Sequence, residues 1–307
     1  MFSKPLSKLT VAVIMGGKSA EREVSLRSGL AVANALSAQS IKVIKLDGIE
    51  ELLKCDLKSF DAVFNILHGE AGENGELAGF LSSVGIAYTG CGLKGAVLSW
   101  DKSVAKTIVQ AHGIRTPNSQ VITNIAQIQI HNPGPWIVKP TQEGSSVGLF
   151  YADNEIELKT CARKALKLVD SILIEDYIKG SECTVAIVKG KSLPVIRINP
   201  GVDLYDYEAK YNSTQTEYFC PSGYDNKLED ALKQDALKAF KALHLKGWAR
   251  IDFMVDKQGK HWFLEANTTP GMTQTSLVPK AANAIGWSFN QLVLNILSTA
   301  FTEVKND

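Results

Sequence analysis

The sequence predicts an open parallel α/β domain at the N-terminus followed by further α+β subdomains, and three observations carry that expectation. Residues 9–15 (Leu-Thr-Val-Ala-Val-Ile-Met) form a short apolar run that ends at Gly16-Gly17 and leads into a stretch of small residues. This is the strand, glycine turn and helix of a crevice in an open sheet. From Ser99 the pattern changes to separate strands, a Gly/Ser loop and a late hairpin. The chain also has 307 residues, more than one core usually organises, so two or three subdomains are expected.

Taken in order, the first strand (9–15) is followed by Lys18-Ser19 and Glu21-Arg-Glu-Val-Ser25, then a helix to about residue 38. Glu21 falls in the first turn of that helix, where the macrodipole alone would favour an acid. Strands are expected over 41–46 and 62–67. The second of these runs into His68-Gly-Glu-Ala-Gly-Glu-Asn-Gly75, and so many glycines at a strand end mark a site more often than a plain turn. Residues 86–92 close this first domain near residue 95.

Asp101-Lys102 then opens a helix that Gly113 stops, and Trp136-Ile-Val-Lys139-Pro140 reads as a strand. It enters Glu143-Gly-Ser-Ser-Val-Gly148. Successive backbone N–H groups in such a loop can cradle phosphate, and its flexibility allows closure as a lid. A helix over 155–168 and a strand over 172–175 precede Asp176-Tyr-Ile178 and Gly180-Ser-Glu182, which enter a strand over 184–188. Ile178, the backbone after Glu175, and Glu182 could give a purine nucleotide its apolar slot, edge acceptor and ribose carboxylate. An ordinary strand end reads equally well.

Residues 199–224 form a long aromatic and acidic loop that contains Tyr205-Asp-Tyr-Glu-Ala-Lys210-Tyr211. A loop of that length in a compact domain is usually a lid or other functional segment. A helix over 227–243 leads to Arg250-Ile-Asp252-Phe-Met, a turn at 256–259, and Trp262-Phe-Leu-Glu265-Ala-Asn267. Both arms alternate, so they read as a half-buried hairpin. Arg250 and Asp252 share a face of one arm, Glu265 and Asn267 a face of the other, and all four converge on one surface. Two carboxylates and an amide oxygen make a hard-oxygen set suited to Mg²⁺ beside substrate phosphates. The bland alternative is a solvated face with surface ion pairs. Thr268-Thr-Pro-Gly271 then forces the backbone out of regular structure, so that its N–H groups can face a ligand. A last helix over 290–301 reads as core.

Composition agrees with a soluble enzyme: 45% hydrophobic, 21% charged, net charge +1. There is no electrostatic reason to expect nucleic acid or an anionic membrane as partner. The five cysteines are scattered, with no Cys-x-x-Cys pair, and read as reduced thiols. No signal-peptide pattern or membrane-length apolar run is present, so a cytoplasmic enzyme is expected.

Lys139, the Gly-Ser-Ser-Val-Gly loop, Glu182, Asp252, Glu265 and Asn267 occur in the order expected of an ATP-grasp enzyme. His68-Gly-x-x-Gly-Glu-Asn-Gly75, Arg250-Ile-Asp252, Glu265-Ala-Asn267-Thr-Thr-Pro-Gly271 and Ser19-Ala-Glu21-Arg-Glu-Val-Ser25 narrow this. From about residue 9 to residue 300 the chain resembles the bacterial D-alanine–D-alanine ligases. The resemblance implies an N-terminal substrate-binding α/β domain (1–98) and a two-subdomain ATP-grasp fold. Its central part (99–182) would carry the phosphate loop, and its C-terminal part (183–307) the long loop and the Mg²⁺ site.

The resemblance also implies ATP-dependent joining of two D-alanines through a D-alanyl phosphate, for peptidoglycan. Lys102, Lys139, Ser145 and Ser146 would hold phosphates; Glu175, Ile178 and Glu182 would hold adenosine, and Lys210 would also bind ATP. Asp252, Glu265 and Asn267 would bind two Mg²⁺ ions, with Mn²⁺ as a substitute. Glu21 and His68 would face the first D-alanine, Arg250 and Gly271 its reacting carboxyl, and Ser276-Leu277 the second carboxylate. Glu21, Ser145 and Tyr211 would form a trio tying lids to substrate, and the enzyme would be a homodimer.

Asp176 stands where many relatives have lysine, Asn74 where aspartate is common, and Thr269 where serine is common. Tyr211 agrees with relatives that use an amine acceptor. Rival readings are an ATP-grasp ligase with another acceptor, such as D-serine or D-lactate, and a non-catalytic ATP-binding module.

Overall fold

A computed structural model describes residue 2 and residues 4–144, 148–199 and 216–301. Strand β1 (Thr10–Met15) is central in a three-stranded parallel sheet between β2 (Lys42–Asp47) and β3 (Ala62–Asn65). Its unbroken apolar run has a direct cause, because both faces are covered. Val11, Val13 and Met15 pack with Val32 and Leu36 of helix α1 (Arg22–Ser37). Ala12 and Ile14 pack the other way, against Leu46, Phe60 and Leu52 of α2 (Gly48–Leu52). Glu21 is the residue before α1, not a member of its first turn.

The glycine-rich segment after β3 contains the short helix α3 (Glu70–Glu73) and leads to α4 (Glu76–Ser83). Asn74 Oδ1 accepts the Glu76 amide at 2.9 Å, which gives that residue a structural task. Helices α5 (Gly92–Trp100) and α6 (Lys102–Ala111) follow. Asp101 caps α6 by accepting the Ser103 and Val104 amides.

Strands β4 (Ser119–Ile122), β5 (Trp136–Pro140), β6 (Phe150–Ala152) and β7 (Ile172–Asp176) form an antiparallel sheet in the order β4-β7-β5-β6. Helix α7 (Glu155–Ala165) backs it with Leu158, Ala162 and Ala165 against Val138 and Ile174. The helix stops three residues short of the expected 168.

The remaining strands are β8 (Gly180–Val188), β9 (Lys191–Ser192), β10 (Ile196–Asn199), β11 (Glu217–Phe219), β12 (Trp248–Asp256) and β13 (His261–Asn267). They form the largest sheet, ordered β11-β10-β8-β12-β13 with β9 on β8. Because β8 begins at Gly180, the expected boundary at 182 falls inside a strand. By sheet membership the change comes between Asp176 and Gly180.

One face of this sheet carries Cys183, Val185, Ile187, Ile251 and Phe253 into a core with Leu232, Ala236 and Phe240 of α8 (Asn226–Ala242). The other face is divided. At one end Ala186, Val188 and Trp248 join the core under β1, with α9 (Leu277–Ala284) and α10 (Phe289–Thr299). The other end opens on a cleft. Among the described residues no helix is long and apolar enough to cross a membrane.

Candidate active site

Residues directly opposite on paired strands share a sheet face, so register alone builds the centre of the site. Met254 pairs with Glu182, Asp252 with Thr184 and Arg250 with Ala186 on β8. On the other side Asp252 pairs with Glu265 and Arg250 with Asn267. Three rows therefore cross one face, spanning about 13 Å from Met254 to Arg250 at roughly 3.3 Å per residue. The order is Met254 with Glu182, then Asp252 with Glu265, then Arg250 with Asn267.

The rows depend on an irregularity. The β12–β13 register shifts between Asp252 and Phe253, which pair with Glu265 and Phe263 and leave Leu264 as the extra residue. Such a bulge re-aims side chains beside a site. Without it, strict alternation from Phe263 would turn Glu265 to the rear of the sheet. With it, Leu264 and Glu265 are both half-buried toward the cleft side.

Asp252 is 2% exposed and heavily bonded. Its Oδ1 accepts Thr184 Oγ1 at 2.6 Å and Arg250 Nε at 2.9 Å. Its Oδ2 accepts Arg250 Nη2 and Asn267 Nδ2, both at 2.8 Å. Asn267 spends its amide N–H there, which leaves its carbonyl oxygen as acceptor. Glu265 Oε2 lies 3.7 Å from Lys102 Nζ. No group of three His, Cys, Asp or Glu side chains converges on a metal position among the described residues. The set that fits is two carboxylates with an amide oxygen, hard donors that suit Mg²⁺ when phosphate completes the shell.

Between the two antiparallel sheets lies a cleft of ≈ 260 Å³. Ile137, Ile178, Met254 and Leu264 give it apolar walls, while Lys139 and Glu182 give it charge. Asp176 also lines it, but its carboxylate accepts Asn118 Nδ2 at 2.9 Å and Asn132 Nδ2 at 2.5 Å. The Asp176 carboxylate is thus already engaged with two amides.

The adenosine role expected at Glu175 concerns its backbone, and its side chain is engaged elsewhere. Its carboxylate is 3% exposed and clamped between Lys139 Nζ at 2.5 Å and Lys106 Nζ at 2.6 Å. Burial alone would raise its pKa, but the two ammoniums outweigh burial and hold it at about 2. Lys106 is lowered too, but for another reason: burial outweighs the attraction of Glu175, and Lys139 across the shared carboxylate adds to it.

At the opposite end, His68 is buried and donates Nδ1–H to Ile66 O at 2.9 Å. Burial depresses its pKa, with Glu21 opposing. A neutral ring bonded in that way leaves Nε2 as an acceptor, and Nε2 has no hydrogen-bond partner among the described residues. It points toward Gly271, where a Cβ would lie 3.9 Å from Nε2 and 3.0 Å from Ser276 Oγ. Ser276 precedes α9 and accepts the Thr273 amide at 3.0 Å. His68, Gly271 and Ser276 are therefore together, with Leu277 opening the helix.

Glu21 is 9% exposed and faces the start of the Gly/Ser loop at Gly144. A Cβ on Gly144 would come within 2.6 Å of Glu21 Oε2, so glycine is what lets the loop approach. Lys102 Nζ reaches the same loop, donating to Glu143 O at 2.5 Å. Ser145, Ser146, Lys210 and Tyr211 lie outside the described residues, as does any bond of Glu21 with Ser145 and Tyr211.

Four further residues belong to this region without having been singled out. Lys106 reads in sequence as one polar residue of an amphipathic helix. Met254 and Leu264 read as ordinary alternation. Glu73 accepts the Gly69 amide at 3.2 Å and shares a small pocket with Lys102, Glu265 and Asn267. Burial, then Glu21, raises its pKa well above the usual carboxylate range. Its place in the His-Gly segment was the one available signal.

Comparison with known proteins bears on this arrangement. A family model described as D-ala D-ala ligase C-terminus matches residues 106–298, and one described as D-ala D-ala ligase N-terminus matches residues 49–91. The chain is 44% identical over 298 residues to a D-alanine–D-alanine ligase of Pseudoalteromonas atlantica, covering 94% of each chain. It is 45% identical over 291 residues to that of Vesicomyosocius okutanii, covering 94% of this chain and 99% of the relative. Among solved structures it is similar to the Bacillus anthracis D-alanine–D-alanine ligase complexed with ATP. That match has 29% identity and a TM-score of 0.84, and covers 95% of this chain and 97% of the other.

Proposed function

The chain belongs to the D-alanine–D-alanine ligase family of ATP-grasp enzymes and is an ATP-dependent ligase of peptidoglycan synthesis, and from this premise we propose how its residues divide the work. The observation that carries the reading is the shared sheet face, where Met254 beside Glu182, Asp252 beside Glu265 and Arg250 beside Asn267 follow one another, an order that suits adenosine, cation-bound phosphates and the reacting carboxyl. Adenine occupies the slot between Ile137, Ile178, Met254 and Leu264, and Glu182 takes the ribose hydroxyls. Glu175 serves this end through its backbone and holds Lys139 with its side chain. Lys102, Lys139 and the loop amides at Ser145 and Ser146 hold the phosphates, and Lys210 also binds ATP.

Asp252, Glu265 and Asn267 would hold two Mg²⁺ ions, for which Mn²⁺ could substitute, and the ions would supply positive charge to the transferring phosphoryl group. The first D-alanine places its ammonium between Glu21 and the acceptor nitrogen of His68. Its carboxylate lies beside Arg250 and the Gly271 amide. A carboxylate is a poor acyl donor, so its oxygen first attacks the γ-phosphorus, giving D-alanyl phosphate and ADP. The second D-alanine, its carboxylate held at Ser276 and the first turn of α9, attacks with its amine and expels phosphate. Arg250 and the Gly271 amide then face the tetrahedral oxyanion, and one such donor is worth about 3 to 4 kcal/mol of barrier. Acyl phosphate would hydrolyse in open water, so the site must exclude water during turnover, and the trio Glu21, Ser145 and Tyr211 would tie its lids to the substrate. The enzyme works in the cytoplasm as a homodimer through its N-terminal domain.

The test is Glu265→Gln, which weakens one cation ligand at constant volume. Turnover with D-alanine should fall nearly to nothing while circular dichroism and adenosine binding stay as in the wild type. Wild-type turnover would contradict the assignment. Phosphate release with L-alanine but none with D-alanine would contradict the substrate.

A further inference from the structure

Lys106 lies one helical turn beyond Lys102 on α6, and its side chain is 3% exposed. It is not among the residues that line the adenosine cleft. Its ammonium instead meets Glu175 Oε2 at 2.6 Å, while Lys139, which does line the cleft, meets Oε1 at 2.5 Å. Two buried lysines thus share one carboxylate. The next acid in the chain, Asp176, is turned to Asn118 and Asn132.

Charge counting gives the arrangement a purpose. A buried Lys139–Glu175 pair sums to zero, and at low dielectric a neutral pair attracts a phosphate weakly. A second ammonium raises the sum to one positive charge. It also ties up the Glu175 oxygen that Lys139 does not use, which stops the carboxylate from swinging toward the phosphates. We propose that Lys106 is a positioning residue for the ATP triphosphate, holding Glu175 so that the Lys106–Glu175–Lys139 cluster presents one net positive charge through Lys139. This rests on the reading of Lys139 as a phosphate ligand.

Binding of a non-hydrolysable ATP analogue and of adenosine, measured by calorimetry on the full chain, tests the inference. Lys106→Met should weaken the analogue roughly tenfold, as expected for losing one charge at about 10 Å in a medium of intermediate dielectric, and leave adenosine unchanged. Lys106→Met/Glu175→Gln restores the charge count and should regain most of the analogue's affinity. Equal weakening of both ligands would reveal a merely structural lysine and overturn the proposal. So would an unchanged analogue affinity, or a double variant no better than the single one. If Lys106→Met fails to fold, the double variant decides: near wild-type analogue affinity supports the charge count, and a tenfold loss overturns it. Lys139→Met separates the two readings. If it leaves analogue binding intact, the phosphate assignment itself fails; if it weakens binding while Lys106→Met does not, only the inference about Lys106 fails.

Discussion

Replacing Glu175 by Gln should remove about 3 kcal/mol of stability at neutral pH and almost none near pH 2. The carboxyl of Glu175 titrates at about 2 in the native protein against 4.5 ordinarily, because Lys139 and Lys106 outweigh the cost of burial. Between those values the unfolded chain binds a proton that the native chain does not, so this part of the stability is present above pH 4.5 and drains away as pH falls toward 2. The interval from 4.5 to about 2, at about 1.4 kcal/mol per pH unit, gives an upper figure of roughly 3.5 kcal/mol, of which about 3 is expected at pH 7. Glutamine mimics the protonated carboxyl and carries no such pH dependence. Urea unfolding of both proteins, followed by tryptophan fluorescence from pH 7 to pH 3, should show a gap that is constant above about pH 5 and narrows below it. A gap that stays constant down to pH 3 would refute the reasoning, since it would reflect shape and not charge.

Other consequences can be checked separately. Glu73 behaves oppositely: burial and Glu21 raise its pKa, so its stability penalty grows as pH rises above 4.5. Glu73→Gln should therefore stabilise the ligand-free protein at pH 7 and confer no advantage below pH 4.5 in the same unfolding assay. Leu264→Ala trims a wall of the cleft and should raise the KM for ATP about fivefold, from roughly 1 kcal/mol of lost burial, without changing the KM for D-alanine. Asn74→Ala removes the bond to the Glu76 amide and should cost about 1 kcal/mol in thermal unfolding with both KM values intact. A kinetic effect there would give Asn74 a role in the site.

Much of this fold can be read from local pattern, because local pattern has a local cause. The apolar run of β1 is continuous since alternate residues enter two different cores. The Arg250–Asn267 hairpin is visible because both arms alternate and its polar face carries charges where a core strand would have Val or Leu. What could not be read depends on pairing across the chain. The register shift at Asp252 and Phe253 is a property of two strands together, so Leu264 could not be assigned to the cleft. Lys106 looks like a solvated helix residue, and only the approach of β7 to α6 buries it beside Glu175. The helix expected to reach 168 ends at Ala165, and β10 and β11 lie at the ends of a loop whose sequence reads as irregular.

The central claim is that Asp252, Glu265 and Asn267 gather divalent cations against the triphosphate on one sheet face. Titration of Mn²⁺ into the complex with a non-hydrolysable ATP analogue, followed by electron paramagnetic resonance, measures this most directly. Two ions should bind per chain only when the analogue is present, and Glu265→Gln and Asn267→Ala should each lower that number or weaken binding strongly. An unchanged ion count and affinity in both variants would contradict it.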